Sequence, residues 1–535
     1  MMETIVHIAR IVAGRPVVAL EDIPPARLPV RMYAGAQVDR TTADWLSIGT
    51  SADSEIVASL RNLRARSRQL VRDNDNAKHV IRVFANNVVG TGIGFQAINK
   101  NRPGKLRSDL NLQIEKFWKR WSRKSRCDVS GRLEFWMIER LAFWSIVENG
   151  ECLIRKIKQP FGDSGVPFAL QLIESDQLMD QWQSAKAPNG NAIRMGVEID
   201  EYRRPVAYWL YPTHPGDYQF SQFQPSKFIR IPASEIIHLY IPERVNQTRG
   251  VPWLHTAMRR LHNMGGLEES EIIKARAQAA VMGFVTSPEA PAPDDTLAGQ
   301  RVEYMAPGEI RHLLPGEDFR FADPSSPNPS LDPFSRFMLR NASSGVGLSY
   351  ESASGDYSAT NYSSSRLGQF NERDHFRILQ HWFIQDFRQA IYSEWLEAHV
   401  MAGKIAIPDY YGRREEYDEA AQYRPRGWGW TNPKDDVPAY KSAVRSGFMT
   451  VEQVISENTG SGADINEIWA AREEEIDLAQ ELGLMLDTDP AQTDAKGAAQ
   501  ASAINPETAE LEGDADQSEA DAGQSESDIP EVINS

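Results

Sequence analysis

With 535 residues, 41% hydrophobic residues and 13 Trp, the chain exceeds one ordinary domain and can build several cores. No run of 18 apolar residues occurs, which argues against a transmembrane helix. The start, METIVHIARIVAGRPVVAL, is broken by His7, Arg10 and Arg15 and makes a poor signal peptide. Two cysteines, Cys127 and Cys152, exclude a disulfide framework and read as buried free thiols.

The net charge of −16 is unevenly spread. Residues 61–126 hold 17 Lys/Arg against 4 Asp/Glu, and residues 487–535 hold 13 Asp/Glu against 1 Lys. A tight DNA binder spreads cations over its contact surface, because affinity comes from releasing counterions. Most of this chain would repel phosphate. The composition is therefore an odd one for a DNA grip.

In chain order, apolar residues at Ile56, Leu60, Leu63, Leu70, Ala77, Ile81, Phe84 and Val88 predict one or two amphipathic helices over 55–88, ending at Gly90. Arg61, Arg64, Arg68 and Arg72 form a cationic stripe beside that face. Further helices are expected at about 107–125 and 133–147. GECLIRKIKQ, PFALQLIESDQL and VEIDEYRRPVAYWLY then read as strands, the last with a turn near Arg203. Helical periodicity returns over 253–282, with Gly265-Gly266 costing about 1 kcal/mol each relative to Ala and suggesting a kink or two helices.

Residues 283–330 contain eight Pro and short strand-like pieces such as RVEYM and FRF, the pattern of a small insertion. A helix at 331–344 and a long one at 363–402 follow. From 433 the chain is helical again: Thr450 with Gln453 is a capping-box pattern, and INEIWAAREEEIDLAQELGLML carries apolar positions Ile465, Ile468, Trp469, Ile476 and Leu482. Beyond Leu486 the composition cannot bury enough apolar area to fold alone.

The most informative stretch is NASSGVGLSYESASGDYSATNYSSSRLGQFNERD, residues 341–374. Between Val346 and Ser365 it has no Lys or Arg and only two carboxylates, Glu351 and Asp356. Gly345, Gly347 and Gly355 interrupt any helical period, so a loop is expected between two helices. A loop this long inside a folded domain is uncommon and usually functional or disordered.

Motifs for chemistry are missing. The VVGTGIG glycines follow a helix and precede a strand-like FQAI, the reverse of a dinucleotide fingerprint. GxxxxGK[ST], GxSxG and CxxC are absent, and the pairs His255/His262 and His375/His381 lack zinc-site spacing. Asp435-Asp436, before Val437-Pro438, reads as helix-start punctuation. Accordingly no catalytic residue, cofactor or metal site is expected. Lys116, Lys119, Arg120 and Arg123 interleave with Phe117, Trp118 and Trp121 as a nucleic-acid platform would. Those aromatics share one helical face, so they read first as core, with the cations forming a solvated face or pairing with an acidic neighbour.

GLSYE followed by GDYSATNYSSSR resembles the tunnel-loop region of lambda-like tailed-phage portal proteins. LRNLRARSRQLVRDN at 60–74, NNVVGTGI at 86–93, NQTRGVPWL at 246–254 and SGFMTVEQVISENTGSGAD at 446–464 resemble the family's other motifs, in the same order. The resemblance spans roughly residues 30–486. It implies an α+β, mostly helical subunit of a closed ring, usually of twelve copies, with an axial channel. Mapped onto this chain, 1–50 would be an N-terminal arm, 51–252 the wing, 253–282 a stem helix, 283–330 the clip and 331–348 the second stem helix. Residues 349–362 would be the tunnel loop, 363–432 a long helix returning to the wing, 433–486 the crown, and 487–535 a disordered acidic tail.

The resemblance further implies a place at one capsid vertex of the virion after assembly in the host cytoplasm. Implied partners are other copies of the chain, double-stranded DNA, the terminase large subunit, capsid or scaffold protein and head-completion adaptors, with no membrane. Ser349, Tyr350, Ser352, Ser354, Asp356, Tyr357, Ser358, Thr360 and Asn361 would line the channel. Arg61, Arg64, Arg68, Arg72, Lys116, Lys119, Arg120 and Arg123 would face DNA or a neighbouring subunit. The rival readings are a nucleic-acid-binding enzyme built on the 61–126 block, or a minor structural virion protein such as an adaptor.

Overall fold

The computed structural model describes residues 40, 48–100, 106–187, 189–217, 219, 227–280, 283–286, 318–321, 329–358, 360–429, 432–458 and 465–484. The expected N-terminal arm up to residue 39, the RVEYM piece and the acidic tail lie outside them. Two units divide at Ser51, and everything below concerns the second, which begins at Ala52.

The first amphipathic run folds as two helices, α1 (Ala52–Asp73) and α2 (Asp75–Val88). Asn74 separates them, its side chain accepting a hydrogen bond from the Ala77 backbone N–H at 2.9 Å. Gly90 and Gly92, at φ +61° and +112°, turn the chain into β1 (Gly94–Ala97). A Cβ on Gly92 would lie 2.8 Å from Trp136 Cβ, so this glycine provides a close-packed helix-ending turn. Next come α3 (Ser108–Trp121) and α4 (Phe135–Asn149). Trp118 and Trp121 are buried in the core against Phe135, at ring-centroid distances of 5.2 and 5.3 Å.

Two small antiparallel sheets follow. One has the order β3 (Ala169–Ile173), β2 (Cys152–Ile157), β8 (Ile236–Leu239); the other runs β4 (Ala192–Arg194), β5 (Val197–Ile199), β6 (Pro205–Leu210), β7 (Ile229–Pro232). The expected turn between β5 and β6 falls at Arg203, φ +66°. Cys127 and Cys152 are buried and free.

Helix α5 (Met258–Ala280) runs through Gly265 and Gly266 without a break, correcting the expected division. A Cβ on either glycine would meet nothing within 4 Å, so neither serves a tight contact. Their propensity cost is offset by the packing of this helix on α1 and α6 (Leu331–Val346). Between α5 and α6, β9 (Gly283–Thr286) pairs antiparallel with β10 (Asp318–Phe321), the FRF piece.

After α6 come α7 (Tyr350–Ser354) and α8 (Tyr362–Phe383). A π-helical turn, Ile384–Gln389, joins α8 to α9 (Ala390–Met401). The widened turn carries Arg388 into the core, where its Nη2 donates to buried Glu139 at 3.0 Å and its guanidinium stacks over Phe135 at 5.0 Å. Then α10 (Arg414–Glu419) leads to β11 (Ala421–Arg424), which pairs with β1. The chain ends its described part in α11 (Pro433–Arg445), α12 (Val451–Asn458) and α13 (Ile465–Glu481). Asp435 and Asp436 lie in the first turn of α11, the helix start that their position suggested. The capping box is reciprocal: Thr450 N donates to Gln453 Oε1 at 2.9 Å, and Gln453 N to Thr450 Oγ1 at 3.2 Å.

Candidate functional site: the hydroxyl-rich segment between two helices

The segment between α6 and α8 is more ordered than its glycines suggested. Helix α6 continues through Gly345 to Val346. That glycine packs so closely on Thr256 that a Cβ would lie 2.8 Å from the threonine hydroxyl. Gly347, at φ +85°, ends α6, and Gly355, at φ +72°, ends α7. Ser349 caps the short helix between them, its hydroxyl accepting from Ser352 N at 3.1 Å. Buried Ala353 plugs α7 into the core. The expected fourteen-residue loop is therefore one helical turn followed by a short exposed tip.

Most of the hydroxyls are engaged within the subunit. Glu372 of α8 accepts from Ser349 N at 3.0 Å, from Ser349 Oγ at 3.3 Å and from the Ser352 hydroxyl. Ser354 Oγ donates to the Tyr350 carbonyl at 2.6 Å, and Thr360 Oγ1 to the Tyr357 carbonyl at 2.8 Å. Asp356 gathers the rest, accepting from Tyr350 Oη at 3.0 Å, Ser358 Oγ at 2.6 Å and Ser358 N at 3.0 Å. The Ser358 hydroxyl and backbone, then Tyr350, hold its carboxyl down at about 2, so it stays ionised. Ser349, Tyr350, Ser352 and Ser354 are half-buried, whereas Tyr357, Ser358 and Asn361 are exposed, Tyr357 at 55%. The outward surface is thus a narrow tip.

Cations do approach the segment, from α6. Arg340 lies over the Tyr350 ring at 5.3 Å, and Arg336 comes within 3.8 Å of Asp356. Glu372, Arg336 and Arg340 were invisible as partners in the sequence, because each belongs to a flanking helix, Glu372 23 residues beyond Ser349.

The cationic stripe on α1 divides. Arg61 is exposed. Arg64 does not belong to a surface at all: at 1% exposure it bonds Glu151 at 2.5 Å. Arg249, also buried, holds the same carboxylate through Nε and Nη2, and His238 and Gly250 N reach it at 3.0 Å. Burial would raise the Glu151 carboxyl, but Arg249, Arg64 and His238 outweigh it and hold the group well below the usual range. Arg68 pairs with Asp176, and Arg72 with Asp73 at 2.8 Å. Lys116, Lys119, Arg120 and Arg123 stand exposed on and just after α3.

The NQTRGVPWL motif has a physical role here. Beside the Arg249–Glu151 contact, the backbones at Gly150 and Gly250 touch; a Cβ on Gly250 would lie 2.0 Å from the Gly150 carbonyl oxygen.

Among the described residues, Glu174, Asp176 and His214 alone come close enough together to share a cation, but Arg68 already sits on Asp176. No described helix is long and apolar enough to cross a membrane.

A family model described as "Phage portal protein, lambda family" matches residues 38–380. The "Probable portal protein" of Halomonas phage phiHAP-1 is 30% identical over 479 residues, covering 86% of this chain and 90% of that protein. "Portal protein B" of Escherichia phage lambda is 21% identical over 518 residues, covering 86% and 93%. Among solved structures, a chain in the neck of a native GTA particle computed with C12 symmetry superposes with a TM-score of 0.38 at 12% identity, covering 74% of this chain and 94% of that chain; the likeness is too loose to bear on assembly. On the match over residues 38–380 and the 30% identity, this chain belongs to the lambda family of phage portal proteins.

Proposed function

We propose that the chain is the subunit of a closed ring at one vertex of a phage head, whose axial channel passes the double-stranded genome inward during packaging by terminase and outward at ejection. A heterologous, head-to-tail interface that closes on itself gives such a ring, with the same segment of every copy repeated around the axis. The observation that carries this reading is the exposure of Tyr357, Ser358 and Asn361 in a stretch, 355–361, whose sequence has neither Lys nor Arg, in a chain of the portal family. Its surface offers hydroxyl, amide and phenol groups that exchange hydrogen bonds with hydrated phosphates without condensing on them. A cation at the same place in every subunit would act as a salt-dependent brake.

In this reading 51–252 is the wing, 253–282 and 331–348 are the stem, 283–330 is the clip where terminase and later the head-completion adaptors dock, and 433–486 is the crown. The role is structural and the motor partner hydrolyses ATP. The exposed cations Lys116, Lys119, Arg120 and Arg123 face the acidic surface of the adjacent subunit. The test is native mass with end-on negative-stain images of the purified chain at moderate salt. Rings of about twelve subunits of 60.1 kDa with a stained central hole are expected. A stable monomer or dimer that binds duplex DNA tightly would overturn the assignment in favour of a DNA-binding enzyme.

A further inference from the structure

Helix α8 puts Arg366, Phe370, Arg373 and Arg377 on one face, at the helical spacing of four, three and four. With α11 and the segments at Gly429, Met449 and Asn458, this face encloses an open groove of about 260 Å³. Arg366 is paired across it with Asp436 at 3.1 Å. Arg377 is paired with Asp374 at 3.1 Å. Among the described residues Arg373 makes no close ion pair and no hydrogen bond; Asp436, held by Arg366, attracts it only from a distance. The Arg373 guanidinium lies between the Phe370 ring at 5.9 Å and the Trp428 ring at 5.8 Å, which orient it without neutralising it. Arg426, close enough to repel it, bonds only neutral groups, the Asn86 carbonyl at 2.6 Å and Asn87 Oδ1 at 3.3 Å. The groove lining therefore carries two guanidinium groups, Arg366 and Arg373, against the single carboxylate of Asp436, which Arg366 already holds, beside an apolar wall that includes Phe370 and Met449. That surplus is conspicuous in a protein of net charge −16.

We propose that this groove takes an acidic stretch of the chain's own C-terminal tail, with a carboxylate on Arg373 and an apolar side chain against Phe370. The tail has the matching chemistry. Residues 487–535 hold 13 Asp/Glu and 1 Lys, and apolar residues flanked by carboxylates occur at Glu510-Leu511-Glu512 and Asp528-Ile529-Pro530-Glu531. It also starts nearby: α13, which leads into it, packs on α12, and α12 ends at Asn458 in the wall of the groove. At up to about 3.3–3.6 Å per residue, the chain beyond Leu484 is ample to return to that wall. An arginine held between two rings and making no close ion pair of its own is a preformed seat for a carboxylate.

The test uses the full chain carrying Arg373→Lys, coupled with a zero-length carbodiimide and mapped by mass spectrometry. The expected result is a cross-link from position 373 to an Asp or Glu between 507 and 531, suppressed at about 1 M salt, where charges are screened within about 3 Å. Coupling confined to carboxylates of residues 52–484, or none, would overturn the proposal. A second measurement keeps the natural groove as its reference. In full-length Arg373→Glu, a Glu-specific protease should cut within 507–531 about fivefold faster than in the unaltered chain, the worth of one partly shielded ion pair. Equal cutting rates would overturn it as well.

Discussion

Two polar constellations in this subunit use hydrogen bonds to opposite ends. Around Glu151, charge is sealed from water: Arg64 and Arg249 converge on one carboxylate, with His238 bonded beside them, beneath the touching backbones of Gly150 and Gly250. At 349–361 the groups are mostly neutral hydroxyls, bonded to Glu372, Asp356 and nearby carbonyls, with the tip left in solvent. A buried ionic knot fixes geometry, because any arrangement that strands one member leaves an unpaired charge in a dry site. A hydroxyl surface tied down from behind does the reverse, holding its shape while presenting nothing that grips a polyanion. Buried charge fixes the structure around Glu151, whereas the tip, where in the proposed ring DNA moves, carries no Lys or Arg of its own.

Breaking the knot should have the largest effect. Arg249→Ala removes the guanidinium that holds Glu151 through two nitrogens and leaves that buried charge with Arg64 as its one remaining cation, so a cost of about 3–5 kcal/mol is expected, read as a lowered denaturation midpoint. Arg68→Ala, at a half-exposed pair with Asp176, should cost well under half of that, and equal costs would erase the distinction between knot and surface.

Acid should act next, through histidine. Burial holds His399 at about 4, below the usual 6.5, with its Nδ1 at 2.9 Å from the Trp395 carbonyl. The unfolded chain therefore takes up this proton first, and stability falls with pH from about 6.5 down to about 4, by roughly 3 kcal/mol in total. His399→Phe should flatten that part of a stability–pH curve, part of which also belongs to His238, lowered by its own burial. Glu151 has the opposite timing. Its folded value is depressed, so its contribution is present above about 4.3 and is lost only as pH falls below that.

The hydroxyl segment should respond more gently. Glu372→Gln retains an acceptor but weakens charge-assisted bonds to Ser349 and Ser352, and about 1–2 kcal/mol is expected. Faster amide exchange confined to 349–355 would mark the loss as local. Smallest is the capping box: Thr450→Ala should cost about 1 kcal/mol, read as fraying of α12.

Elements with local causes were legible. The heptad-like spacing over 55–88, the Thr450/Gln453 pair, the Arg203 turn and the glycine stop after α2 all have their partners within a few residues. What was hidden depends on long-range partners. Arg64 reads as one member of a solvated stripe, because the carboxylate that buries it is 87 residues away. Gly345 reads as a breaker, although its close approach to Thr256 lets α6 continue. Gly265 and Gly266 read as a break because local propensity does not register the packing of α5 on α1 and α6. The hydroxyl-rich stretch was legible from composition, and the family resemblance picked out its nine positions. The division into a tied-back half and an exposed tip was not, since Glu372 belongs to the next helix.

In the proposed ring DNA passes the tip without being held, and packaging by particles whose rings carry Ser358→Lys with Thr360→Lys tests that most directly. Intact rings with slowed, salt-dependent packaging and shortened packaged DNA are the expected result. Packaging of unchanged rate and length would contradict it.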